Sequence, residues 1–198
     1  MSDARAAIVT GAGSGIGADG ARLLAEHGLA VALVGRRAEV LEQVAAEIEG
    51  RGGRAAVLAA DLAEADAPRR IVAAALAALG SIDVLVNNAA HIWNGPLEAQ
   101  SIEQFDRHYA VNVRAPFLLA QAALPALRRG AHPAIVNVSS SVGSIVKPGT
   151  MLYGSSKAAL EYLTRAWAYE LAVDGIRVNC IAPGPVDTPI HATYSDDL

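Results

Sequence analysis

The sequence predicts an α/β chain of the doubly wound type, an open parallel sheet covered by helices on both faces. Three observations lead there. Short apolar runs alternate with longer helix-patterned runs along all 198 residues. Most of the short runs are apolar at every position, the pattern of strands buried on both faces, not the alternation of a half-exposed strand. Helical stretches end at Gly28, Gly50, Gly80, Gly130 and Gly175, the usual stop signal just past a last turn. Strand then helix, repeated with right-handed crossovers, places ligands at the carboxyl ends of the strands.

The elements follow in order. A strand is expected at Ala6–Thr10, then a glycine-rich turn and a helix at about Gly15–His27. The second strand, Ala30–Val34, precedes a helix at about Arg37–Glu49, and the third, Arg54–Ala59, precedes one at about Glu64–Leu79. The fourth, Ile82–Asn87, leads to a long helix over Ser101–Arg129. The fifth, Ala134–Ser139, leads to a helix over Leu152–Val173, and Arg177–Ile181 is the sixth. No repeat or linker divides the chain, so residues 1–198 read as a single domain.

Composition excludes several classes. At 53% hydrophobic and 18% charged residues the chain is no disordered segment. A net charge of −4 with no Lys/Arg run lacks the footprint of a nucleic-acid binder. The longest Ala/Leu stretch, Ile71–Leu79, is far short of the roughly 18 residues that span a bilayer, so no membrane is expected. Cys180 is the single cysteine, which excludes an intrachain disulfide and fits a reducing, cytoplasmic setting. It lies in an apolar strand and reads as a small buried hydrophobe. His27, His91, His108, His132 and His191 lack metal-ligand spacing, so no metal is expected and each reads as a surface or loop residue.

The chemistry starts at Thr10-Gly11-Ala12-Gly13-Ser14-Gly15-Ile16-Gly17, between the first strand and the first helix. Glycines there allow a tight turn and close backbone approach to a pyrophosphate, with the N–H groups of the helix start facing its charge. The spacing of Gly11, Gly15 and Gly17 resembles the T-G-x-x-x-G-x-G form of the short-chain dehydrogenase/reductase family. That resemblance implies a Rossmann-type sheet ordered 3-2-1-4-5-6 and reversible hydride transfer between a nicotinamide cofactor and a secondary alcohol or ketone.

At the end of the second strand, where such folds carry an acid for the ribose 2′-hydroxyl, stands Gly35, followed by Arg36 and Arg37. With no carboxylate to repel a 2′-phosphate and guanidinium groups to pair it, NADP is favoured over NAD. The alternative is that both arginines are solvated charges opening the next helix. Asp61-Leu62 resembles the family's adenine-binding pair, with Asp61 accepting from the adenine amino group; otherwise Asp61 caps the helix beginning near Glu64.

Tyr153-Gly154-Ser155-Ser156-Lys157 puts a phenol and an ammonium at i and i+4 on one helix face. A phenol of pKa ~10 exchanges protons readily near neutrality only if shifted toward ~7, and a neighbouring cation supplies the sign. The family's serine lies thirteen positions before the tyrosine, which selects Ser140; Ser139 and Ser141 read as cap or turn residues. The family also uses the backbone carbonyl of Asn112 to hold a relay water. An independent argument supports this, since Pro116 has no N–H to offer the Asn112 carbonyl four residues earlier. The alternative is that Pro116 simply kinks the helix.

Two further segments carry the resemblance. Asn87-Asn88-Ala89-Ala90 is similar to the family's N-N-A-G, which implies cofactor contacts at Asn88, Ala89 and Ala90. The run Pro183-Gly184-Pro185-Val186-Asp187-Thr188 is similar to the family's P-G segment, which implies contacts of Pro183, Gly184, Val186 and Thr188 with the nicotinamide carboxamide. Within the glycine turn it implies contacts of Gly11, Ser14, Gly15, Ile16 and Gly17, and at the reacting centre of Tyr153 and Lys157. His91, Trp93, Ile145, Val146, Met151 and Ile190 are candidates for lining a substrate pocket.

The expected partner is thus a small carbonyl or alcohol, and the expected assembly a homodimer or homotetramer through the two long helices. Two rivals remain at this stage, a non-catalytic NADP(H)-binding regulator and a sugar-nucleotide epimerase or dehydratase. Family members continue past the P-G segment through a lid, a helix and a final strand, while this sequence stops at Leu198. The resemblance therefore implies a domain incomplete at its C-terminus.

Overall fold

The computed structural model describes residues 5–188. Six strands, β1 Ala6–Thr10, β2 Ala30–Gly35, β3 Ala55–Ala59, β4 Val84–Asn87, β5 Ala134–Val138 and β6 Arg177–Ile181, form one parallel sheet ordered β3-β2-β1-β4-β5-β6. The helices are α1 Gly15–Glu26, α2 Ala38–Gly50, α3 Ala67–Leu79, α4 Ile102–Tyr109, α5 Ala115–Leu127 and α6 Met151–Glu170. This is the Rossmann arrangement the sequence predicts.

Two separate clusters of buried side chains fill the two faces. One gathers Val9, Leu33, Leu41, Val44 and Ile48 beneath α1 and α2. The other gathers Ile8, Val34, Ile71, Leu85, Leu119, Ile135 and Trp167 beneath α3, α5 and α6. Ile8 and Val9 are neighbours in β1 yet belong to opposite clusters, which is why the strands are apolar at every position. The edge strands β3 and β6 are more exposed.

Three elements differ from expectation. The third helix begins at Ala67 and not near Glu64, with Pro68 in its first turn, where a residue without an N–H costs no hydrogen bond. Asp61 therefore lies outside it and is not its cap. The long helix expected over Ser101–Arg129 runs from Ile102 to Leu127, with a π-helical turn, Ala110–Arg114, inserted between its α-helical parts α4 and α5. In that turn the Ala115 N–H reaches back to the Ala110 carbonyl, and Pro116 supplies no N–H to the carbonyls behind it. Finally, Cys180 is half-buried on the edge strand, not fully buried, with its Sγ 3.8 Å from the Ile181 carbonyl oxygen.

The run Ile102–Leu127 is long and apolar enough to cross a membrane, but half of its apolar window is buried inside the fold. Its apolarity belongs to the core.

Candidate active site

The glycine turn connects β1 to α1, and its shape requires glycine. Gly11 and Gly15 have φ of +67° and +51°, the left-handed region that side chains avoid. A Cβ on Gly17 would lie 2.3 Å from the Gly11 carbonyl oxygen and 2.3 Å from Asn88 Nδ2. Ser14 precedes α1 in extended backbone without capping it by its side chain. The helix start therefore offers its first N–H groups to an anion, and the cradle suits a pyrophosphate.

Thr10 and Asn88 hold this turn against the end of β4. The Thr10 hydroxyl donates to the Val86 carbonyl at 3.2 Å and accepts from the N–H groups of Asn88 and Ala89 at 2.9 and 3.0 Å. Asn88 Nδ2 donates to the carbonyls of Thr10 and Gly11 at 2.9 and 3.3 Å. Thr188 lies opposite, its Cγ2 3.0 Å from where a Gly15 Cβ would stand, and its hydroxyl donates to the Val186 carbonyl at 3.3 Å.

At the outer end of the cleft Arg36 and Arg37 are exposed and form no ion pair among the described residues. Asp61 accepts from Ala63 N–H at 2.9 Å and takes a two-oxygen contact from Arg107 on α4 at 2.9 and 3.2 Å. Burial alone would raise the Asp61 pKa, but the Ala63 N–H and the charges of Arg107 and Arg36 outweigh it and hold the carboxyl below its usual range. Leu62 is buried beside it.

At the inner end β5, α6 and the π turn bring the remaining residues together. Tyr153 and Lys157 are 8% and 1% exposed, and the Lys157 Nζ lies 5.6 Å from the centroid of the tyrosine ring. The ammonium donates to the Val138 carbonyl at 2.7 Å, and burial lowers the lysine pKa to about 8. Ser140 caps a single 3-10 turn, Ser141–Gly143, with its hydroxyl 3.5 Å from the Val142 N–H. A Cβ on Gly154 would lie 2.7 Å from the Val142 carbonyl oxygen, so the lack of one lets α6 approach this serine turn.

Asn112 is completely buried in the π turn. Its side chain accepts from His91 N–H at 2.7 Å and donates to the His91 carbonyl and to Ser156 Oγ, both at 2.9 Å. The amide is thus fully occupied in tying the segment after β4 to α6.

Pro183 is brought beside the serine turn because Ser139 N–H donates to Ile181 and Ser141 N–H to Pro183, at 2.7 and 2.9 Å. Gly184 and Val186 are exposed next to it, and Ala90 stands between Asn88 and His91. Of the pocket candidates, His91 and Trp93 are partly buried, while Ile145, Val146 and Met151 are exposed. Ile190 and His191 lie outside the described residues.

Three residues escaped the sequence reading. His108 is no surface or loop residue, for it lies on α4 with no exposed area. Its position two residues before Ala110, on the face that also carries the buried Val111 and Asn112, was the available signal. Arg107 and Glu161 act through distant partners and leave no local pattern. Glu161 accepts from Ser139 Oγ at 2.7 Å and from Ser144 Oγ at 3.3 Å, which clamps the serine turn to α6.

A doubly wound sheet with a glycine cradle at the first crossover defines a dinucleotide-binding protein of the Rossmann class. The comparisons narrow this further. The family model for short chain dehydrogenases matches residues 5–198, and the chain belongs to that family, a family of oxidoreductases. A 2,5-dichloro-2,5-cyclohexadiene-1,4-diol dehydrogenase, LinX, of Sphingobium indicum is 37% identical over 98% of this chain and 78% of its own length. The short-chain dehydrogenase/reductase FrzI of Cladobotryum sp is 45% identical over 95% of this chain and 73% of its own. The crystal structure of a short chain dehydrogenase from Burkholderia cenocepacia in complex with NADP superposes with a TM-score of 0.90 at 38% identity, over 98% of this chain and 78% of that one.

Proposed function

We propose that the protein transfers a hydride reversibly between NADP(H) and the carbon of a small secondary alcohol or its ketone. The observation that carries this reading is the burial of Lys157 one helical turn beyond Tyr153, beside the serine turn at the carboxyl edge of the sheet.

The cofactor choice rests on Gly35 with Arg36 and Arg37, and the NADP bound by the Burkholderia relative supports it. The N–H groups around Ser14, Gly15, Ile16 and Gly17 take the pyrophosphate, and Arg36 and Arg37 take the 2′-phosphate. Asp61 and Leu62 take the adenine. Gly11, Asn88, Ala89 and Ala90 form the floor of the cleft, and Pro183, Gly184, Val186 and Thr188 meet the carboxamide of the nicotinamide. Bound NADPH supplies the hydride to the carbonyl carbon.

The residues of the reacting centre supply the rest. Ser140 holds the carbonyl oxygen, and the Tyr153 hydroxyl gives that oxygen its proton. The Lys157 ammonium stabilises the phenolate that results and holds the nicotinamide ribose. A water on the Asn112 carbonyl returns the proton to Tyr153 through Lys157. Oxidation of an alcohol runs the same path backwards.

The reading extends to a single domain over 1–198, to the cytoplasm, and to self-association through α4, α5 and α6. The exposed Phe105, Phe117, Tyr162 and Tyr169 on these helices support the last. Size-exclusion chromatography with light scattering measures it.

The central test is Tyr153→Phe. Oxidation of NADPH by a panel of ketones should fall about a hundredfold or more, while NADPH binding, followed by its fluorescence, persists. Full activity in the variant overturns the assignment. NADPH bound but never oxidised by the wild-type chain would mark a regulator instead.

A further inference from the structure

One fully buried ionisable group has no part in that scheme. His108 has both ring nitrogens engaged, Nδ1 at 2.7 Å from the Gln104 carbonyl oxygen and Nε2 at 3.2 Å from the Trp93 backbone nitrogen. A carbonyl only accepts and an amide N–H only donates. The two contacts therefore require a neutral ring with its proton on Nδ1 and Nε2 as acceptor. Burial works in the same direction, holding the ring below the usual histidine pKa.

Trp93 lies in the segment from His91 to Gly95, between β4 and α4 in the chain. The segment is held at every second residue. Asn112 takes both the N–H and the carbonyl of His91, and His108 takes the N–H of Trp93. At Gly95 the N–H donates to the Gly149 carbonyl at 2.9 Å and the carbonyl accepts from Gln100 Nε2 at 2.6 Å. The Trp93 indole folds over Gly95, where a Cβ would lie 2.4 Å from its Cη2. Gly149 is two residues before α6 begins, and Tyr153 lies in the first turn of that helix. The His91 ring meets His108 edge-on at 4.6 Å and shares Gln104 with it through the side-chain oxygen at 3.0 Å.

We propose that His108 is a positioning residue: by accepting the Trp93 N–H it fixes the indole beside the first turn of α6 and so sets the size of the substrate group that fits next to Tyr153. This rests on the function proposed above. Asn112 secures one end of the segment and Gly149 the other, and His108 holds its middle. Without the His108 acceptor the middle of the segment is released while the cofactor cleft, on the far side of Asn88, keeps all its contacts.

The experiment compares His108→Gln with His108→Asn, both also in a Trp167→Phe background so that Trp93 is the one remaining indole. Glutamine carries an acceptor to the position of Nε2, whereas asparagine reaches the Gln104 carbonyl but not Trp93. His108→Gln should keep the acrylamide quenching of Trp93 and the ratio of kcat/KM for acetophenone over acetone within about twofold of wild type. His108→Asn should raise the quenching and change that ratio about tenfold or more, as a change of roughly one methylene in a pocket does, with NADPH affinity unchanged. Wild-type quenching and ratio in His108→Asn, or equal losses in both variants, overturn the proposal. Should the variants not fold, long-range 1H–15N spectra of the wild-type protein decide it, since a protonated Nε2 contradicts it and an unprotonated Nε2 supports it. A wild-type chain that reduces neither ketone overturns the proposed function alone, because quenching and the nitrogen shifts still read the hold on Trp93.

Discussion

The Lys157 ammonium donates to the Val138 carbonyl at 2.7 Å, at the point where β5 ends and the serine turn begins. A cation with almost no exposed surface, held by a neutral carbonyl, is costly to keep, and its depressed pKa of about 8 expresses that cost.

Lys157→Met tests this cost. In the unfolded chain the lysine holds its proton until about pH 10.5, and in the native chain only until about 8. Between these values the unfolded state binds more protons, so native stability rises with pH. Relative to Lys157→Met, the wild-type chain should gain roughly 3 kcal/mol from pH 8 to 10.5. Urea melts of both proteins across that range measure it. Near pH 7 the variant should be at least as stable as wild type while losing nearly all turnover.

Gly17→Ala inserts a methyl group 2.3 Å from the Gly11 carbonyl oxygen and from Asn88 Nδ2. Neither can move without breaking the bonds that hold the turn to β4. The variant should lose about 1–3 kcal/mol of stability and bind NADPH at least about tenfold more weakly. Thermal melts and fluorescence titration give both numbers.

Glu161 holds Ser139 and Ser144, the residues that flank Ser140 and its turn. Glu161→Leu removes the acceptor of Ser144, leaves Ser139 only the longer contact to the Lys157 carbonyl at 3.4 Å, and loosens the turn from α6. Turnover should fall about tenfold to a hundredfold with NADPH affinity unchanged, the signature of a misplaced reacting group. Glu161→Gln, which still accepts from Ser139, should recover most of it. Steady-state kinetics of the three proteins separate these outcomes.

Arg107 holds Asp61 where the adenine is proposed to bind. Arg107→Met should weaken NADPH binding about three- to tenfold and leave reduced nicotinamide mononucleotide, which has no adenine, unaffected. Because the Asp61 pKa is depressed, its contribution to stability is present above about pH 4 and is lost as pH falls through the native value. Acid unfolding should therefore begin at a higher pH in the variant.

The fold was legible in the sequence because its signals are local. Ile8 and Val9 face opposite cores, so β1 reads as a buried strand from its own residues. Gly11 and Gly15 need positive φ, so the turn reads as a nucleotide cradle from its own spacing. Tyr153 and Lys157 share a helix face because four residues nearly complete a turn.

The tertiary structure decided what depends on distant partners. Asp61 is not a helix cap because α3 begins only at Ala67, and Arg107, 46 positions away, holds its carboxylate instead. His108 shares a helix face with the buried Val111 and Asn112, but that the segment carrying Trp93 bonds to it there only the fold shows. Pro116 could be read from the sequence as a residue without an N–H, but only the fold showed a π turn taking up the mismatch. Periodicity and glycine spacing are properties of neighbouring residues. A hydrogen bond between remote ones exists only once the chain has closed around it.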